Sequence, residues 1–217
     1  MTARRDPASA PSGALALLAG AIGYALGACA RVTPGEMALP TPCSEWDLRA
    51  LLAHLATSMA DLESGLRTGS LDLDPADPAA TAEAVAPGRP PAPGFLGDGA
   101  PGGPVEVLRD QAANLLCACY DHHDAGRPVR VGGLPLPAFI VTCTGAVEIA
   151  VHGWDVAAAR GRREDIPPGL ATRMLGICPL LVESRAGLFA PPVEVPPQAS
   201  PGDRLVAYLG RKPAEPR

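Results

Sequence analysis

The sequence is poor in aromatic and charged residues, and these shortages narrow the fold class. Aromatic side chains make up 4% and charged side chains 19% of the 217 residues, whereas apolar residues make up 47%. A β-sandwich core depends on aromatic and β-branched side chains, so this composition disfavours an all-β fold. It favours helices packed through Ala, Leu and Val, in a single domain at this chain length.

Basic residues are also too few to form a polyanion-binding surface. The chain has 18 Lys and Arg residues against 23 Asp and Glu residues, for a net charge of −5, and Lys212 is its one lysine. Proteins that bind nucleic acid concentrate positive charge on one face. We therefore expect neither a nucleic-acid nor a polyphosphate partner.

The sequence lacks the motifs of several large enzyme classes. It has no glycine-rich dinucleotide loop, no phosphate-binding loop that ends in Lys-Ser or Lys-Thr, and no G-x-S-x-G elbow. Its cysteines are irregularly spaced and include no C-x2-C pair, and a domain of this size does not need disulfides to be stable. We expect these residues to be reduced thiols of a cytoplasmic protein; they are Cys29, Cys43, Cys117, Cys119, Cys143 and Cys178.

The amino-terminal region is uncharged and allows two interpretations. Residues 7–30 carry no charge, follow Arg4 and Arg5, and end near Cys29, as in a signal sequence with a lipid-attachment cysteine. Half of this run is Ala and Gly, however, which makes membrane insertion marginal. Helical spacing of its larger side chains favours a buried helix and no membrane partner; these side chains are Leu15, Leu18, Ile22 and Leu26.

Hydrophobic periodicity predicts three further long helices. The clearest covers residues 44–67, where Ser44 is a favourable N-cap residue and an apolar stripe follows. A third helix is predicted from residue 105 to near residue 126. A fourth covers residues 138–160 and is followed by Gly161, the residue type that most often ends a helix.

The rest of the chain is divided by proline and glycine. Residues 70–104 are rich in Pro, Gly, Ala and Asp without sustained periodicity, which predicts a flexible insert that is either a linker or a mobile cover. Residues 128–137 are predicted to be a loop. A fifth helix is predicted over residues 167–186, and a short terminal helix over residues 203–209.

These elements predict an all-α antiparallel four-helix bundle. The bundle would occupy residues 1–165, and residues 166–217 would form a C-terminal helix and a Pro-rich extension packed on it. Short loops between long helices are typical of such bundles, and their cores can host sites built from side chains on facing helices.

Three residues on the second and fourth helices could form such a site. Glu148 and His152 stand four residues apart on one helical face, among apolar neighbours, and His54 lies beside the apolar stripe of the second helix. A lone histidine in that position is most often an ordinary residue at the edge of the core, and a Glu-His pair is often a surface ion pair. If the two helices face each other, the three side chains provide the ligand set of a catalytic zinc with an open fourth position.

A second cluster on the third helix competes with this one. Cys119 shares a helical face with His122 and His123, so these residues could hold a metal ion, or Cys119 could act as a nucleophile with histidine as its base. The acidic residues around the two histidines and the glycine at position 126 are also typical of a solvated helix end.

Three separated segments of the chain resemble the mycothiol-dependent maleylpyruvate isomerase family, within the DinB-like metal-binding bundles. They are residues 41–55 (TPCSEWDLRALLAHL), 148–155 (EIAVHGWD) and 203–213 (DRLVAYLGRKP). The resemblance implies a DinB-like four-helix bundle that binds a divalent metal through His54, Glu148 and His152. The metal implied is usually Zn2+, with Ni2+ as the alternative.

The resemblance also implies chemistry with a low-molecular-weight thiol such as mycothiol. The metal would hold the thiolate, which adds to an electrophilic small molecule for isomerisation or displaces a group for S-transfer. Candidates for further catalytic roles are Arg109 and Arg130, as partners of a substrate carboxylate, and Asp155, as an acceptor that orients a ligand or as a surface cap beside Arg160.

Two other functions fit the same sequence. A thiol-independent lyase or cyclase of specialised metabolism could use the same cavity, and a non-catalytic bundle could bind the metal alone. We expect a monomer or a homodimer.

Overall fold

Helices make up most of the chain that the structure describes. The structure is a computed structural model that describes residues 9–43, 46–71, 103–122, 126–181 and 190–213. Six α-helices occur in these ranges, with a single 3-10 turn at Pro34–Glu36 after the first. Their bounds are α1 Ser9–Cys29, α2 Leu48–Thr68, α3 Gly103–Asp121, α4 Ala138–Ala159, α5 Pro168–Leu181 and α6 Pro201–Tyr208.

The core lies between the long helices. Helix α1 packs mainly against α4, and α2 packs against both α3 and α4, while α5 contacts α1, α4 and the terminal α6. The apolar face predicted for α1 is in this core, since Leu18 and Ile22 are buried. None of the described helices combines the length and apolar composition that would let it cross a membrane. The predominantly helical fold is therefore confirmed, whereas the DinB-like four-helix arrangement and the division at residue 165 stay predictions.

The prediction of a loop over residues 128–137 is wrong, and the fold is therefore not strictly all-α. Strands β2 (Pro128–Val131) and β3 (Leu134–Pro137) form an antiparallel hairpin, and β1 (Ser70–Leu71) pairs with β2 in parallel. The two turn residues have φ angles of 55° and 85°, which glycine adopts without steric cost. The prolines at both ends of the hairpin hide this signal in the sequence, because proline is uncommon inside strands.

Several helix boundaries differ from the predicted ones, among them the terminal helix, which is predicted over residues 203–209 and covers Pro201–Tyr208. Helix α2 begins at Leu48 rather than at residue 44, because the Asp47 carboxylate accepts a hydrogen bond from the Ala50 amide at 2.8 Å and caps the helix. Helix α3 ends at residue 121, several residues before the predicted stop. The predicted N-cap residue Ser44, most of the insert (72–102) and residues 182–186 of the fifth helix lie outside the described residues.

Helices α1 and α4 approach each other closely at a glycine next to one of the site residues. A Cβ atom on Gly153 would lie 2.8 Å from the Cα atom of Ala25, and contacts this short require the backbone to move. Gly153 is buried, whereas Gly23 on α1 is exposed and has no atom within 4 Å of its Cβ position. The distance between α1 and α4 is therefore set by the absence of a side chain at position 153.

We predict opposite effects of two Gly-to-Ala substitutions. Gly153→Ala forces the two helices apart, and overpacking of this kind costs about 1–3 kcal/mol of unfolding free energy. Gly23→Ala removes a flexible residue from an exposed helix interior and stabilises by up to about 1 kcal/mol. Thermal unfolding followed by circular dichroism measures both, and equal melting temperatures for the two variants would contradict the close packing at Gly153.

Candidate metal centre

The three predicted ligands meet at one place between α2 and α4. His54 projects from α2, and Glu148 and His152 project from adjacent turns of α4. His54 Nε2 lies 3.2 Å from Glu148 Oε1, and the two imidazole rings are edge to face with centroids 4.9 Å apart. One ligand atom from each residue lies within 4.8 Å of the other two. The structure thus brings together the residues that spacing alone cannot join.

The donor set suits a divalent metal ion. Ligand atoms at about 2.0–2.1 Å from a tetrahedral zinc lie about 3.4 Å apart, close to the observed 3.2 Å between His54 and Glu148. Two imidazole nitrogens and one carboxylate oxygen leave a fourth coordination position for a small molecule. His54 and Glu148 therefore already stand at about the spacing that a tetrahedral zinc requires, and the His152 atom lies within 4.8 Å of both.

A network of donors keeps Glu148 ionised although its side chain is only 12% exposed. Burial alone would raise the pKa of Glu148, but the hydrogen bond with His54, the nearby imidazoles and the Ser58 hydroxyl outweigh it, so the pKa is lowered. Ser58 Oγ donates to Glu148 Oε1 at 2.7 Å and lies 3.4 Å from His54 Nε2. The carboxylate is therefore held in place and charged.

His152 is oriented by a buried carboxylate on the same helix. Its Nδ1 atom lies 3.1 Å from Asp155 Oδ2, so Nε2 is the ring nitrogen that stays available for a metal ion. Burial is the largest effect on the pKa of His152 and lowers it, against the opposing charge of Asp155. A neutral imidazole with one nitrogen fixed by a carboxylate is the form that binds metals in proteins.

An arginine near the end of the described chain keeps Asp155 ionised. Arg211 Nη2 donates to Asp155 Oδ2 at 3.0 Å, and the two side chains are 10% and 0% exposed. Burial would raise the pKa of Asp155, but Arg211 and His152 outweigh it and lower the pKa. Arg211 follows α6, so the end of the terminal helix places a cation behind the predicted ligand His152.

Cys43 forms a second donor cluster with His152 and Asp155. The ligand atoms of these three residues lie within 4.8 Å of one another, and the Cys43 thiol donates to Asp155 at 3.5 Å. Arg211 Nη2 lies 3.8 Å from the sulfur as well as 3.0 Å from the carboxylate. Its guanidinium already supplies positive charge here and would repel a metal ion, so the cluster with His54 and Glu148 is the better metal site.

The other predicted residues do not join the centre. Arg109 and Arg130 are exposed, and neither forms a hydrogen bond or ion pair with the residues of the centre in the described part of the chain. His122 lies 3.2 Å from Arg127, and Cys119 is buried, which raises the pKa of its thiol to about 11. The described residues contain no metal cluster at Cys119 and His122, and His123 lies outside them.

Sequence reasoning missed three residues that surround the ligands. Cys43, Trp46 and Arg211 all fall inside the segments that carry the family resemblance, which is the one signal that could have indicated them. The Trp46 ring packs against His54 with centroids 4.4 Å apart and lies 6.2 Å from the His152 ring. The Trp46 ring therefore borders the centre on the side of the N-terminus of α2.

Comparisons with known proteins find a family whose model covers more than half of this chain. A family model described as the mycothiol maleylpyruvate isomerase N-terminal domain matches residues 18–157, a range that holds all three predicted ligands. Uncharacterized proteins from two strains of Mycobacterium tuberculosis, CDC 1551 / Oshkosh and H37Rv, are each 28% identical to this chain over 190 residues. These alignments cover 84% of this chain and 88% of each relative. No solved structure matches the chain significantly.

We predict that Arg211 stabilises the fold through Asp155. Arg211→Met leaves a buried carboxylate without its cation, which costs about 3–5 kcal/mol of unfolding free energy. Asp155→Asn combined with Arg211→Met removes the stranded charge while keeping an acceptor for His152, and recovers part of that loss. Urea unfolding of the single and double variants measures the coupling.

A matched control for Arg211 is available on the surface of α2. Arg67 pairs with Glu63 at 2.8 Å, but the Arg67 side chain is 45% exposed, and exposed pairs contribute at most about 1 kcal/mol. An Arg211→Met variant that is no less stable than Arg67→Met would show that the buried pair does not support the fold.

Proposed function

The chain belongs to the mycothiol maleylpyruvate isomerase family, and from that premise we propose that it is a metal-dependent enzyme that uses a low-molecular-weight thiol. The thiol is mycothiol or a similar molecule, and the reaction is isomerisation of, or S-transfer to, an electrophilic small molecule. The observation that carries this proposal is the convergence of the ligand atoms of His54, Glu148 and His152, which all lie within 4.8 Å of one another. The metal we propose is Zn2+, with Ni2+ as the alternative.

The charge of the centre fits this chemistry. A free thiol has a pKa of about 8.5 and is mostly protonated at neutral pH; when bound, a divalent metal removes that proton and supplies a reactive thiolate. Two neutral imidazoles and one carboxylate supply a single negative charge, which leaves the loaded centre with a positive charge that attracts an anion. Ser58 and Asp155 hold Glu148 and His152 in place through hydrogen bonds.

The low exposure of the centre favours binding of an anionic ligand to a bound metal ion. The side chains of Glu148 and His152 are only 12% and 6% exposed, and electrostatic attraction is stronger where little water is present. The described cysteines are free thiols. We propose that the protein acts in the cytoplasm, where a small thiol is kept in its reduced form.

We predict that protein purified without a nickel column carries about one equivalent of zinc or nickel, as a three-ligand site requires. His54→Ala, Glu148→Ala and His152→Ala each lose most of the metal, because a three-ligand site cannot spare one ligand. His122→Ala, a histidine outside the centre, keeps it. Metal analysis by mass spectrometry measures all four variants. Less than about half an equivalent in the native protein, or full occupancy in His54→Ala, would contradict the metal centre.

We predict that turnover depends on the thiol. With a conjugated keto-acid as substrate, the metal-loaded protein shows a rate that saturates with thiol concentration, and the chelator-treated protein shows none. Product analysis by chromatography separates isomerisation from S-transfer. A rate independent of thiol would favour a lyase or cyclase, and metal binding with no turnover of any tested electrophile would favour a non-catalytic protein.

A further inference from the structure

Trp46 holds a buried hydrogen-bond donor that has no acceptor in the described part of the chain. The residue is 3% exposed, and its Nε1 atom is the one buried side-chain nitrogen or oxygen without a partner among those residues. More than about nine in ten buried polar groups in proteins have a partner, and leaving one unsatisfied costs about 1–3 kcal/mol. A phenylalanine would keep an aromatic ring here without this cost.

The donor belongs to a ring that borders the metal centre. The indole packs on His54 at 4.4 Å and stands 6.2 Å from His152, measured between ring centroids. Its backbone is fixed on both sides, since the Trp46 amide donates to the Cys43 carbonyl at 2.8 Å and the Trp46 carbonyl accepts from the Thr41 hydroxyl at 2.9 Å. This backbone and the packing of the buried ring on His54 hold the indole beside the centre.

The two carboxylates of the centre accept from other groups, and the indole N–H has no hydrogen bond to either of them. Glu148 Oε1 accepts from Ser58 and contacts His54, while Asp155 accepts from His152 and Arg211. Without a ligand, the indole N–H has no acceptor among the described residues. The proposed centre would bind an anionic ligand beside His54 and His152, and this ligand could accept the hydrogen bond. An anion accepts a hydrogen bond more strongly than a neutral group does.

We propose that the Trp46 indole N–H donates a hydrogen bond to the thiolate sulfur of the small thiol bound at the His54–Glu148–His152 centre. This inference rests on the proposed function and adds a residue that recognises the thiol itself. The bond distinguishes a bound thiolate from an empty centre, because only the thiolate satisfies the buried donor. Trp46 is a binding residue in this role and leaves the metal ligands unchanged.

The experiment uses the two tryptophans of the chain as probe and internal control. Protein labelled with 15N at the indole gives two resonances, from Trp46 and from the half-buried Trp154. N-acetylcysteine is titrated into the zinc-loaded protein, and N-acetylserine, which has a hydroxyl in place of the thiol, is the matched ligand. We expect N-acetylcysteine to shift the Trp46 indole proton downfield, and N-acetylserine to leave both resonances in place.

Affinity gives a second readout. Trp46→Phe keeps an aromatic ring but removes the donor, so we expect it to weaken N-acetylcysteine binding at least about tenfold by calorimetry with full zinc occupancy. Trp154→Phe leaves both the affinity and the zinc content unchanged. If Trp46→Phe folds poorly, the resonance shift in the native protein decides alone.

The outcomes separate this inference from the proposed function. Saturable thiol binding without a Trp46 shift, or equal affinity in a fully loaded Trp46→Phe variant, overturns the inference and leaves the proposed function standing. An equal shift with N-acetylserine shows that the donor pairs with another group, and also overturns it. Zinc-loaded native protein that binds no thiol overturns both.

Discussion

The nearly complete burial of the ionised Glu148 carboxylate on α4 is the constraint on which the rest of the site depends. An unpaired charge in the interior costs several kcal/mol, so Glu148 requires donors from a neighbouring helix. His54 and Ser58 on α2 supply them at 3.2 and 2.7 Å. The pairing fixes how α2 and α4 face each other, and the close contact of α1 and α4 at Gly153 holds the same helix from its other side. Packing and charge thus position the ligands together.

The need to balance a buried charge also explains the position of the terminal segment. Asp155 is fully buried seven residues beyond Glu148, and its charge is balanced by Arg211, 56 residues further along the chain. Arg211 lies outside the matched range 18–157 but touches the layer that orients His152. The terminal helix is therefore connected to the centre by electrostatics as well as by apolar packing.

Local patterns in the sequence predicted what local physics determines. The four-residue spacing of Glu148 and His152 and the bounds of α4 follow from helical periodicity, and both agree with the structure. The contact of His54 with Glu148 and His152 depends on how α2 and α4 pack, which residue spacing does not encode. The family resemblance predicts this contact. The hairpin at residues 128–137 was missed because its prolines obscure the strand pattern, and Arg211 was missed because its partner is distant in sequence.

The two carboxylates of α4 differ in what balances them, and this difference explains why one cluster suits a metal. Asp155 is neutralised by Arg211, so a metal ion beside it would add a second cation to a balanced pair. Glu148 faces His152, whose pKa is lowered by burial, and has no arginine partner among the described residues. Its charge is therefore available to a divalent ion, which would leave one positive charge unbalanced. An anionic ligand balances that charge, and the buried indole of Trp46 offers a donor beside it.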